Sequence, residues 1–309
     1  MQTKHISGIY FIDKSIYYFM ALIFIIFFQV DLCNLWAGEK PGSILSLDKA
    51  VDLALTYNSQ RHEVNKTLPP ESVIFFVKKY YYQIRVQIQQ LATAEEIRDH
   101  FQKAITKSEI IMEEGEGDIS QSNITKLKLG LSETLNDIIS LNYAIQVTKL
   151  DLLELVGKGL KPNFDIAKTD IMPVPFLHVD FDIYLKEKNL LQQSRKIKDK
   201  IGLAPNRTFF QLAKEVKLEL HKAFLRSKET NAKVMLGKKN RKITRALLIA
   251  EVANYDFGIG DSQELFEALI VYSRVLSGYL DSIYKHNVAV AELEKLTSIA
   301  VNKMKNFSR

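Results

Sequence analysis

The chain has a single cysteine, Cys33, in 309 residues. Cys33 lies in an N-terminal segment with the pattern of an export signal, so the mature chain holds no intramolecular disulfide and no thiolate chemistry. Its stability must come from packing. Histidine is nearly as scarce. His5, His62, His100, His178, His221 and His286 show neither the i,i+4 nor the finger-like spacing of metal ligands. No glycine-rich loop with a following lysine is present to cradle a phosphate. Gly115-Glu116-Gly117 and Gly258-Ile259-Gly260 each lack a third glycine and follow a helical pattern, which rejects a dinucleotide fingerprint. No nucleophile elbow brings a Ser, Asp and His together. The sequence therefore nominates no catalytic residue, no cofactor and no metal, and the expectation is a protein that is not an enzyme. An excess of one charge is lacking too: 42 basic residues stand against 36 acidic ones, a net +6 that is mixed in sign along the chain. A dedicated nucleic-acid binder is more basic than this. The densest basic run, Lys233, Lys238, Lys239, Arg241, Lys242 and Arg245, fits a solvated helix face or contact with anionic lipid or cell-wall polymer.

The N-terminus is where a long apolar run does occur. Lys4, His5 and Lys14 precede an uncharged stretch from Ser15 to Val30. Its 16 residues fall short of the ~20 that a spanning helix needs and match the apolar core of a signal peptide. Leu35-Trp36-Ala37 offers a cleavage site before Gly38. Residues 1–37 are thus expected to be a signal peptide or, if retained, an anchor.

Proline and glycine are few, 7 and 13, and their placement divides the chain. Leu45 to Leu55 is a short amphipathic helix, with Ser46 or Asp48 as its cap. After Pro69-Pro70, no Gly or Pro interrupts Glu71 to Met112, long enough for a helix of about 60 Å. Gly115 and Gly117 then supply a turn. The returning helix carries Ile124, Leu131, Ile138, Ile145 and Leu152 in one sevenfold column. Residues 158–178, with Pro162, Pro173 and Pro175, form an extended connector. The pattern then repeats. Val179 to Leu185 aligns loosely with Leu45 to Val51, although apolar–polar alternation there also permits a strand. Thr208 to Phe257 is free of proline, Gly258 and Gly260 make a second turn, and two heptad columns follow: Leu265, Tyr272, Tyr279, His286, Leu293 and Leu269, Leu276, Ile283, Val290, Thr297. Tyr143 with Tyr284, Leu152 with Leu293, and Leu155 with Leu296 align at an offset of 141, while Gly115-Glu116-Gly117-Asp118 and Gly258-Ile259-Gly260-Asp261 align at 143. The expected architecture is all-α: two tandem long coiled-coil helical hairpins from an internal duplication, with short opening helices and an extended connector. The repeats span 38–178 and 179–309.

Three segments, Leu45 to Asn58, Glu114 to Gly157 and Tyr255 to Leu265, resemble the TolC-like outer-membrane efflux family in its opening helix and its two returning helices. The resemblance implies an exported, outer membrane-associated or periplasmic component of an efflux or secretion system. It implies a homo-oligomer, a trimer in the family, that lines a periplasmic conduit. It further implies that the hairpin tips, here Gly115, Gly117, Asp118, Gly258, Gly260 and Asp261, dock a periplasmic adaptor protein that works with an inner-membrane pump. Asp118 and Asp261 suit a cation-favouring entrance ring or, equally, helix N-capping. One departure stands out. The family places two transmembrane strands between each opening helix and its hairpin, and each such strand needs ~9–11 residues. Only Ser59 to Pro70 and Lys186 to Asn206 are available here. The alternative is a barrel-less periplasmic coiled-coil scaffold that binds partners without conducting.

Overall fold

Proline at a helix start and glycine past its end set the longest elements. In the computed structural model, which describes residues 44–60, 67–115, 120–167, 169–188, 190 and 207–307, helix α1 runs over Leu47–Gln60 and α2 over Pro70–Glu114. Pro70 opens α2 because its missing N–H would have had no partner there. Forty-five residues make α2 about 67 Å long. α3 covers Gln121–Val156, a 3₁₀ turn covers Gly157–Gly159, and α4 covers Phe181–Glu187. The second long pair is α5, Arg207–Asp256, and α6, Ser262–Phe307. Two dipeptide strands, β1 (Ile44–Leu45) and β2 (Asp165–Ile166), pair in parallel with Ile44 opposite Asp165. The expected all-α pair of hairpins is the fold observed. The expected signal segment, residues 1–37 with Cys33, and most of Lys186 to Asn206 lie outside the described residues.

The duplication extends to the caps. Ser46 caps α1 by accepting from Lys49 N at 3.3 Å, and Asp180 caps α4 by accepting from Asp182 N and Ile183 N. These two caps are 134 positions apart, the offset at which the opening segments align. Residues 181–187 are helical, which removes the strand reading there. The described residues just before them form no strand. A short polar residue that satisfies the first free N–H groups decided the local outcome over alternation.

α6 lies at the centre of the packing, against both α5 and α2, while α3 packs mainly on α2. Both expected columns of α6 are buried in full, from Leu265 and Leu269 to Leu293 and Thr297. The matching column of α3 is buried only at its ends, Ile124 and Leu152, because one side of α3 faces no other helix. A second cluster, Phe176, Phe181, Tyr184, Phe224, Val290 and Leu293 among others, closes the end far from the turns. There the Tyr184 hydroxyl meets Thr297 Oγ1 at 2.7 Å, and Phe181 stacks on His221.

The connector has no regular structure over 171–180, so its backbone must find other partners. On α2, Arg85 donates to the Thr169 and Asp170 carbonyls, both at 2.9 Å, and Gln89 reaches Asp170 Oδ1. On α6, Asn287 accepts from Val174 N at 2.7 Å and donates to the Met172 carbonyl at 3.1 Å. His286 is fully buried. Its Nε2 donates to the Val174 carbonyl at 2.9 Å, which leaves Nδ1 facing Thr230 Oγ1 at 3.2 Å. The histidine on the heptad column is therefore a packed strap-holder.

Tyrosines mark where the helices meet. Burial pushes the Tyr82 phenol up to about 12, with the Glu294 carboxylate adding to the effect. Burial likewise raises Tyr81, Tyr184 and Tyr284. A phenol raised in the folded state keeps its proton while the unfolded chain loses it. Its contribution is therefore complete below the ordinary value of 10 and is lost as pH rises through 12. Helicity followed together with tyrosinate absorbance should stay level to about pH 10 and fall cooperatively above it. Independent titration of every tyrosine near pH 10 with helicity intact would contradict this packing.

Candidate functional site: the hairpin tips and the open helix edges

At the first tip α2 ends on Gly115, whose φ of 69° lies in the left-handed region. Its N–H caps Ile111 and Met112 carbonyls. Ser120 starts α3 by accepting from Asn123 N at 3.2 Å. At the second tip Gly258 has a φ of 73°, and its N–H donates to the Tyr255 carbonyl at 3.2 Å. The N–H groups of Ile259 and Gly260 both donate to the Asn254 carbonyl. Asp261 Oδ1 accepts from Glu264 N at 2.7 Å, the geometry of an N-cap. A methyl group added to Gly115 or Gly258 would meet nothing within 4 Å. These two glycines serve the turn conformation and leave their surroundings open. Gly260 differs, since a Cβ there would come within 2.8 Å of Asn254 Cβ.

Gly117 and Asp118 lie outside the described residues. The capping position that Asp261 fills is filled in the first hairpin by Ser120, one repeat offset of 141 away, which corrects the expectation that Asp118 would be the N-cap there. The two-residue difference between the copies therefore falls between the left-handed glycine and the cap.

The tips are tied to each other. Tyr255 donates its hydroxyl proton to the Ala104 carbonyl at 3.0 Å, so the buried Ser108 hydroxyl at 2.7 Å is the donor to Tyr255. Lys107 Nζ donates to the Tyr255 and Asp256 carbonyls at 2.6 and 2.9 Å and lies over the Tyr255 ring. Lys126 reaches Gln263. Gly130 admits the Phe101 and Phe266 rings; a Cβ there would stand 2.7 Å from Phe101. The second turn thus sits on a fixed base, and from it Phe257 and Ile259 project with 81% and 78% of their surface exposed. Sequence reasoning missed these two residues. Their signal is two large apolar side chains flanking a turn glycine, where polar residues are usual.

Along the helices, two further features bear on assembly. A cleft of about 490 Å³ opens between α2, α3 and α6, lined by Gln90, Thr93, Glu133, Asp137, Ser273 and Arg274 among others. Burial at the cleft wall, and then the Glu133 carboxylate one turn away, raise the Asp137 carboxyl above its ordinary value. Residues 90, 94 and 97 of α2 floor this cleft, whereas 85 and 89 hold the connector. The two features lie on different faces of α2. The outer edges of α3 and α5 also expose apolar side chains: Leu135, Ile139, Tyr143 and Val147 on α3, and Leu236, Ile243 and Leu247 on α5. Among the described residues no group of His, Cys, Asp and Glu is placed to hold a metal ion. No described helix is long and apolar enough to cross a membrane.

Two long helical hairpins held side by side, with a strap between them, define a class of all-α fold. Solved structures sharpen that class. The chain resembles the outer-membrane channel OprN over 81% of its own length and 70% of that chain, with a TM-score of 0.57 and 12% identity. It resembles CusC, a protein studied for its folding and transmembrane channel formation, over 81% and 72%, with a TM-score of 0.56 and 14% identity. For the outer membrane protein VceC of Vibrio cholerae the values are 82% and 74%, with a TM-score of 0.51 and 10% identity. No protein-family model matches the sequence, and no curated protein does. The shared feature is the fold, that of TolC-like outer-membrane channels.

The tip tie is open to test. Tyr255→Phe would remove the hydroxyl that joins the Ala104 carbonyl and the Ser108 hydroxyl to α5, a cost of about 1 kcal/mol. A lower denaturation midpoint with faster amide exchange at residues 253–262 is the expected result. Unchanged exchange there would show that the tie does not hold the tip.

Proposed function

We propose that this chain is an exported helical component of a TolC-like efflux or secretion system. Several copies, three by analogy with the family, stand side by side, line or support a periplasmic conduit and dock an adaptor through their tips. The observation that carries this reading is a fold shared with outer-membrane channels, in which each hairpin turn begins at a left-handed glycine, Gly115 or Gly258. The second also presents Phe257 and Ile259 to solvent above a base fixed by Tyr255 and Lys107. Rigid exposed apolar anchors suit protein docking, because little entropy is lost on binding. By resemblance Gly117, Asp118, Gly260 and Asp261 belong to the proposed docking tips, with Asp261 also engaged as a cap.

The open edges support self-association. On α3 the stripe from Leu135 begins 14 residues from the tip end of the helix, and on α5 Ile243 lies 13 residues from its tip end. At ~1.5 Å per residue both are about 20 Å from the tips. The α3 edge of one copy therefore meets the α5 edge of the next at equal height. Such a head-to-tail contact closes into a ring when the rotation permits. The mechanism is passive, with no catalytic residue or cofactor, and nucleic acid is not a partner. Repeats 38–178 and 179–309 each contribute one hairpin. A second reading, the non-conducting scaffold, is favoured by linker length: residues 61–69 separate α1 from α2, about the length of one membrane strand and not two.

Loss of the gene should raise retention of an exported dye in the native cell. Wild-type protein should restore export, and Phe257→Asp with Ile259→Asp should fail to do so while accumulating normally. Full restoration by the tip variant would overturn docking through the tip. Unchanged export without the gene would favour the scaffold.

A further inference from the structure

The chain's positive excess is concentrated in one helix. α5 holds twelve Lys and Arg against five Asp and Glu, while the remainder of the chain holds 30 against 31. From Thr230 to Ala250 α5 has no acidic residue, a stretch of about 30 Å. Nearer the far end, every base from Lys217 to Lys233 meets an acceptor. Lys217 pairs with Asp182, Lys222 with Glu219, Arg226 with Glu292 and Lys233 with Glu229, and Lys228 donates to the Val179 carbonyl. The pattern then changes. Among the described residues Lys238, Lys239 and Lys242 have no such partner, and Arg241 lies over the Tyr279 ring without a carboxylate. Only Arg245 is engaged, by Glu96 and Tyr272.

We propose that Lys238, Arg241, Lys242 and Arg245, bracketed by Met235 and Ile249, form a docking strip for an acidic amphipathic helix of a separate protein. The four bases are spaced three, four and seven apart, which places them on one flank of α5. Met235, Lys242 and Ile249 form a column at sevenfold spacing on that flank. Both apolar members are more than half exposed. Regularly spaced apolar positions interleaved with bases match a helix that carries apolar knobs between carboxylates. A flexible polyanion would use the bases alone.

The neighbouring copy does not supply these carboxylates. In α3 the acidic residues of the middle stretch, Glu133 and Asp137, line the cleft with α2 and α6, whereas Leu135 and Ile139 form the outer edge. A lipid surface fits poorly as well. The strip lies 11 to 18 residues from the tip end of α5, about 16–27 Å along the axis, so a flat headgroup layer reaches it only if the helices lie down. The strip does not depend on conduction and would serve the scaffold equally.

The probe is a synthetic 21-residue heptad peptide with Leu at the core positions and Glu beside them, titrated against the intact mature protein. It should bind, and about tenfold more weakly at ~300 mM than at ~50 mM salt. Lys238→Glu with Lys242→Glu should weaken binding about tenfold further at unchanged melting temperature and oligomeric state. Met235→Ser with Ile249→Ser should also weaken it. A non-helical poly-glutamate of equal charge should bind about tenfold more weakly than the helix. If poly-glutamate or anionic phospholipid vesicles bind as tightly as the helical peptide, the strip is a general anion surface and the proposal fails. Unchanged peptide binding by the charge-reversed variant overturns it as well.

Discussion

Fixing a strap of irregular backbone across two helices is the constraint on which the rest of this molecule depends. The connector between the hairpins makes no secondary structure over 171–180, so every buried polar group in it needs a side chain from the helices beneath. Arg85 and Gln89 supply them from α2, and His286 and Asn287 from α6. These bonds place two hairpins that are distant in sequence side by side. His286 and Asn287 are almost completely buried, so removing either would leave the half-buried Val174 backbone without its partner. That cost, larger than the gain from making the bonds, gives the arrangement its specificity.

With the hairpins joined, charge and apolar surface distribute themselves by position. α6 is enclosed and spends its heptads on packing. α3 and α5, at the margins, each leave apolar side chains uncovered, and α5 also carries the chain's net positive charge. The head-to-tail association proposed above would cover both margins at once and would leave the tips and the cationic flank of α5 free for other proteins.

Most of the fold was legible in the sequence because it is written in long, regular signals. Proline-free stretches, turn glycines and sevenfold columns gave the four long helices to within a few residues. Two caps were legible, Ser46 and Asp261; Asp180 carried no mark beyond its place in the repeat, and in the first hairpin Ser120 caps the helix in place of the expected Asp118. What escaped depends on tertiary neighbours. The buried column of α6 and the half-exposed column of α3 have the same spacing, and only the helix on the second side distinguishes them. The tie between Tyr255, Ser108 and Lys107 joins residues about 150 apart with no periodic mark. Phe257 and Ile259 looked like turn residues until their exposure on a fixed base was known.

The absence of cysteine beyond Cys33 makes the edge-to-edge association directly testable. Leu135→Cys on α3 and Ile243→Cys on α5 put one thiol on each margin at matching height, with no native thiol to interfere in a chain that lacks residues 1–37. Treatment of that shortened protein with a short thiol cross-linker, followed by denaturing electrophoresis, should give a closed species of one small, fixed number of chains. Either single-cysteine variant should yield no species beyond a dimer. A double variant that stays monomeric, or that forms an open-ended ladder, would contradict the side-by-side ring.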